Sequence, residues 1–177
     1  MNNYQAVALL KVETNWLIQF LGLGGLAIAL PFFIHQQLVT GPIINAILVL
    51  SIFLLGLRGA VVIALLPSLM ALSSGLLPAV LSPTVPFIML SNIILILTIE
   101  GFYRLNKKEG GYWWGLLMGA GLKALFLFLS TGLIAKLLIN QQLMTAVIKM
   151  MGWAQLATAL AGGLLAWLVL KSLKYFK

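Results

Sequence analysis

Apolar stretches long enough to cross a lipid bilayer recur along this chain, joined by connections too short to hold another domain. A transmembrane helix needs about 20 mostly apolar residues. Six candidate spans can be read, at about 16–34, 43–57, 60–77, 87–103, 113–139 and 152–170. Across 177 residues the chain is 62% hydrophobic and 8% charged, with a mean hydropathy of +1.11. A water-soluble fold of this length cannot hide that much apolar surface. The expected fold is all-α: a polytopic membrane protein with one compact bundle of six transmembrane helices over residues 16–177. Residues 1–15, mildly amphipathic with Lys11 and Glu13, are expected to lie on the membrane surface as a cytoplasmic interfacial segment. Ala27-Ile28-Ala29 is similar to a signal-peptidase site, but the first apolar stretch is read as a retained span.

Topology follows from charge. With six spans both termini lie on one side. Placing them in the cytoplasm puts Lys11, Arg58, Arg104, Lys107, Lys108, Lys171, Lys174 and Lys177 inside, against Lys136 and Lys149 outside. This obeys the positive-inside rule, and it explains the net charge of +8 by topology rather than by nucleic acid. The connections fit the same scheme. Residues 35–42 form the first external loop, Leu57-Arg58-Gly59 a tight turn, and 77–86 a stiff, proline-rich extended loop outside. Residues 104–111 are the most charged loop, and 140–149 a polar connector or surface helix.

Several chemistries are excluded. With no cysteine, the chain has no disulfide, thiol nucleophile or thiolate metal site. One histidine and three acids leave little for a metal cage, an acid–base pair or a proton relay. No phosphate-binding loop or HExxH motif is present, so neither ATP hydrolysis by this chain nor an enzymatic role is expected, and no cofactor or metal is called for.

One charge does not fit the apolar pattern. Lys123 stands near the middle of the 113–139 span, roughly 15 Å from Trp113 at ~1.5 Å per residue. An ammonium at that depth costs at least ~2.5–3.5 kcal/mol and needs a partner, water or a ligand. Gly115, Gly119 and Lys123 share one helical face, and such a small-residue face packs closely and turns the lysine inward. Three readings stay open: a structural lysine neutralised by Glu100 or by carbonyls, an anchor for an anionic or polar ligand, or snorkelling to an interface. Glu100 lies near the cytoplasmic end of its helix, too far for an easy direct contact.

Other polar groups gather in the outer half at compatible depth. Asn45 is near the outer end of the second span, Asn92 about 7–8 Å below the outer end of the fourth, and Gln155 opens the sixth beside Trp153. His35, Gln36, Gln37 and Thr40 sit in the first external loop. A pocket polar at a few points and otherwise apolar suits a small ligand. Each member also has a plainer reading: the asparagines as interhelical hydrogen-bonders, His35 as a solvated loop residue, and Trp113, Trp114 and Trp153 as interfacial anchors. Gly22, Gly25 and Ala29 form a small-residue stripe on the first span, suited to a partner helix.

The whole pattern resembles the substrate-binding S components of energy-coupling-factor transporters, compact six-helix proteins of similar length. Within the sequence the resemblance is strongest at TGPIINAILVL (40–50) and PFIMLSNIILIL (86–97). It implies a small-molecule pocket in the outer half with the first external loop as gate, so that Lys123, Asn92, Asn45, Gln155 and Trp153 would contact substrate and His35, Gln36 and Thr40 would gate it. It implies that Gly22, Gly25 and Ala29 dock a membrane coupling subunit, although the family's alanine is glycine at position 25 here. It further implies two separate ATPase subunits, toppling of the S component in the lipid during transport, and a prokaryotic plasma membrane. The competing expectation is a structural or assembly subunit of a larger membrane complex with no small-molecule substrate.

Overall fold

The structure, a computed structural model, describes residues 3–34, 36–75, 77, 79–137 and 141–176, with side chains left out at 3–14, 80, 135–137, 141–143 and 146. The described residues are helical almost throughout: α1 (Asn3–Phe33), α2 (Gln37–Ser73), a 3-10 segment (Ala79–Thr84), α3 (Val85–Leu105), α4 (Glu109–Leu137), α5 (Gln141–Met151) and α6 (Trp153–Ser172). Five of these stretches are long and apolar enough to cross a membrane: Asn15–Phe33, Gln37–Ser73, Leu81–Leu105, Glu109–Ile134 and Val147–Ser172.

The sequence suggests two spans where α2 runs as one element of 37 residues. The difference lies at Gly56, whose φ of 75° and ψ of 173° interrupt the helix. Glycine alone enters that region without strain. The chain reverses there. Gly41 and Ala71 line one cavity, although a straight helix would hold them roughly 45 Å apart at ~1.5 Å per residue. The reversal thus falls one residue before the expected turn and leaves Arg58 exposed at its tip.

This hairpin is the centre of the fold. Ile44, Ile47, Leu48, Val49 and Ile52 from its first arm, with Ala60, Ile63 and Ala64 from its second, supply much of the main core. Around it pack α1, α3 and α6, while α4 packs on α3 and α6. The Trp16 indole donates to the Leu55 carbonyl at 3.1 Å, fixing α1 at the Gly56 end. The same end holds an aromatic cluster of Phe53, Tyr103 and Tyr112, onto which Tyr175 and Phe176 fold back after α6.

The opposite end has its own small core. Leu77, Leu81, Val85, Leu127, Ile134, Val147 and Met151 bring the 3-10 segment, α3, α4 and α5 together. The expected extended loop at 77–86 is therefore largely a 3-10 turn, because Leu77 and Leu81 have apolar surface to bury there. The polar connector is a helix, α5, and α1 continues without interruption from the expected interfacial segment into the first span.

Candidate functional site: a buried lysine at the wall of a cavity

Glycine places Lys123. A Cβ on Gly115 would sit 2.9 Å from the Ile99 Cα, and one on Gly119 would sit 3.1 Å from the Leu95 carbonyl oxygen. α4 therefore lies tight against α3 along this face, and Lys123, one turn beyond Gly119, is carried into the interior with 2% of its surface exposed. The snorkelling reading is not what the structure shows.

Two asparagines receive the ammonium. Lys123 Nζ donates to Asn45 Oδ1 at 2.7 Å and to Asn92 Oδ1 at 2.8 Å. Both oxygens face the lysine because both amide nitrogens are committed elsewhere. Asn45 Nδ2 donates to the Gly41 carbonyl at 2.9 Å, with the Thr158 hydroxyl 3.5 Å away, and Asn92 Nδ2 donates to the Ala64 carbonyl at 3.2 Å. One ammonium thus ties α4 to both arms of the α2 hairpin, to α3 and, through Thr158, to α6. Charge-assisted hydrogen bonds of this kind contribute about 1.5–3 kcal/mol each, enough to offset much of the cost of burying the charge.

No carboxylate takes part. Among the described residues the one salt bridge joins Arg104 to Glu100 at 2.7 Å, one helical turn apart on α3. Glu100, considered from the sequence as a partner for Lys123, is occupied there. The buried Lys123 amine is held by neutral amide oxygens.

The cluster forms part of the wall of a cavity of about 250 Å³. Thr40, Gly41 and Ile44 join Asn45 from the first arm of α2, with Gln37 at its start. Pro67, Ser68 and Ala71 come from the second arm, Ile88 and Asn92 from α3, and Pro31, Leu77, Met150 and Gln155 complete the lining. The cavity lies toward the α5 end of the bundle, away from Gly56. Gln37 Nε2 and Gln155 Nε2 both donate to the Met150 carbonyl, at 2.9 and 3.2 Å, so α5 is clamped to α2 and α6 beside the cavity. The Thr40 hydroxyl donates to the Ile34 carbonyl at 2.8 Å, holding the α1–α2 connection in place.

The site residues expected from sequence divide clearly. Lys123, Asn45, Asn92, Gln155 and Thr40 line the same cavity. Trp153 is 69% exposed and Gln36 is exposed, and neither lines it. His35 lies outside the described residues. Gly22 and Gly25 present an open surface, with nothing within 4 Å of a Cβ built on either, while Gly24 between them faces Ile63 and Leu66. Ala29 is half-buried.

Ser68 was not singled out from sequence. It is 6% exposed, lines the cavity, and its hydroxyl has no hydrogen-bond partner among the described residues. The available signal was its position one turn beyond Ala64 and next to Pro67, which means little before the hairpin is known.

Comparisons with protein-family models, with curated proteins and with solved structures each found no match.

Proposed function

We propose that this protein is the substrate-capture subunit of an ATP-driven importer of the energy-coupling-factor type, binding a small anionic or polar micronutrient such as a vitamin. One observation carries the reading: the Lys123 ammonium is buried at a cavity wall with no carboxylate partner among the described residues. An uncompensated cation beside space for a ligand favours an anionic or strongly accepting group there. The first turns of α2 and α6 border the same cavity and add the partial positive charge of two helix ends.

In this reading the reversal at Gly56 turns five apolar helices into six crossings, with both termini in the cytoplasm and the cavity in the outer half of a prokaryotic plasma membrane. Gln37 and Thr40, with α5, form the entrance. Gly22, Gly25 and Ala29 on α1 meet the membrane coupling subunit, and two ATPase subunits supply the energy.

The test is gentle purification from the native membrane followed by native mass spectrometry. The expected result is a retained small molecule, lost from Lys123→Met, and co-purification with a membrane coupling protein and an ATPase pair. Stoichiometric co-purification with non-transport proteins, with no retained small molecule, sinks the proposal. It would establish the second reading, a structural subunit, which one observation favours: two asparagines already hold the ammonium, as a purely structural bolt would require.

A further inference from the structure

The polar groups around the cavity constrain its ligand more narrowly than charge alone. An ammonium carries three N–H donors. Lys123 gives two of them to Asn45 and Asn92, and the third has no acceptor among the described residues. The Ser68 hydroxyl, also on the cavity wall, is a second donor with no acceptor among the described residues. Gln37 and Gln155 each give one of two amide N–H groups to the Met150 carbonyl, and Thr40 spends its hydroxyl on Ile34. The cavity therefore offers one ammonium, the Ser68 hydroxyl and the remaining amide groups of Gln37 and Gln155, on otherwise mainly apolar walls.

We infer that the cavity takes a compact monocarboxylate, with one carboxylate oxygen on Lys123 Nζ, a hydrogen bond from Ser68, and a small apolar body against Ile44, Pro67, Ala71 and Ile88. This rests on the cavity being a ligand site, as proposed above. A phosphate monoester carries about −1.5 to −2 charges, more than one lysine can match. No arginine lines the cavity to provide the fork that recognises phosphate in two places. A neutral amide would leave the buried cation uncompensated. Size sets the last limit. About 250 Å³ falls below the ~300–1,000 Å³ of pockets that hold drug-sized ligands, so the body is a single ring or a short chain.

The full chain in detergent can be titrated with benzoate, cyclohexanecarboxylate and hexanoate, each beside its primary amide and the phosphate monoester of the matching alcohol. Binding is read by ligand-observed NMR and thermal unfolding. At least one carboxylate is expected to bind ten-fold or more tightly than its amide and phosphate counterparts. That binding should fall at least ten-fold in Lys123→Met, several-fold in Ser68→Ala, and vanish in Ala71→Phe, which fills the cavity. Should Lys123→Met not fold, Asn45→Asp carries the same test, since a carboxylate on the ammonium competes with that of the ligand. Tighter binding of an amide or phosphate, abolished by Ala71→Phe, overturns the monocarboxylate assignment and leaves the ligand site standing. If no member of the panel binds in a manner sensitive to Ala71→Phe, both fall.

Discussion

Lys123 of α4 donates to Asn45 of α2 across 2.7 Å, a charge-assisted hydrogen bond with a neutral acceptor. The neutrality matters. Had position 45 been aspartate, the pair would be a closed ion pair with no net charge to present to the cavity. With asparagine the lysine is held in place by an acceptor that carries no charge of its own.

Asn45→Asp and Asn45→Leu separate those two roles. The aspartate variant loses the donation from Nδ2 to the Gly41 carbonyl, and it is expected to fold because a full ion pair with Lys123 offsets that loss. Its affinity for an anionic ligand should fall at least tenfold, about 1.4 kcal/mol. The leucine variant removes the acceptor altogether and should lower stability by about 1.5–3 kcal/mol. Thermal unfolding in detergent and ligand titration read the two effects independently. Equal affinity in wild type and Asn45→Asp would show that the charge of Lys123 plays no part in binding.

The close approach of α6 to α2 rests on Gly162. A Cβ there would lie 2.5 Å from the Asn45 Cβ and 2.6 Å from the Pro42 carbonyl oxygen. Gly162→Ala must push α6 away from the residue that holds Lys123, at an expected cost of about 1–3 kcal/mol together with weaker ligand binding. Gly25→Ala is the contrasting case. Its Cβ meets nothing within 4 Å, so stability should change by no more than about 0.5 kcal/mol. If Gly22 and Gly25 dock a coupling subunit, bulkier side chains such as Gly25→Leu should reduce co-purification of that subunit while leaving the melting temperature nearly unchanged.

The uneven legibility of the sequence has physical causes. Hydropathy located the apolar helices, and small residues four apart on α4 gave the inward direction of Lys123, because both signals depend only on helical periodicity. The grouping of Asn45, Asn92 and Lys123 was readable from depth, because the first arm of α2 and α3 run one way and α4 the other, which fixes which residues lie level. Ser68 was not readable: its place at the cavity depends on the reversal at Gly56, a tertiary feature. Trp153 shows the opposite failure. It neighbours Gln155 in sequence and shares its depth, but two positions along a helix differ by about 200° in direction, so Gln155 turns in and Trp153 turns out. Glu100, two turns beyond Asn92 on α3 and so already distant from Lys123, is held by Arg104 one turn away.

The reversal at Gly56 is itself testable. With φ of 75° and ψ of 173°, the position lies in a region that side-chain-bearing residues enter only under strain, so Gly56→Ala should cost about 1–3 kcal/mol. No neighbour lies within 4 Å of a Cβ there, so the loss would come from the backbone rather than from a clash. The cost should appear as a lower melting temperature. An unchanged melting temperature would argue that the turn relaxes into another conformation at little cost.

Cysteine accessibility tests the hairpin's crossing of the membrane, and the native chain has no cysteine to confuse the labelling. Arg58, Ala79 and Lys107 are all exposed. If α2 crosses twice, Arg58→Cys and Lys107→Cys react from the cytoplasmic side, and Ala79→Cys reacts with an impermeant maleimide added outside. If α2 crossed only once, the sides of Ala79 and Lys107 would be exchanged, because every later connection would change face. Labelling of Lys107→Cys from outside would therefore overturn the positive-inside assignment, and Arg58→Cys tells the causes apart, since it too is labelled from outside only if the six crossings are kept and the bundle is inverted. Outside labelling of Lys107→Cys would also place the Lys123 cavity toward the cytoplasm, where it could not capture a ligand from outside the cell.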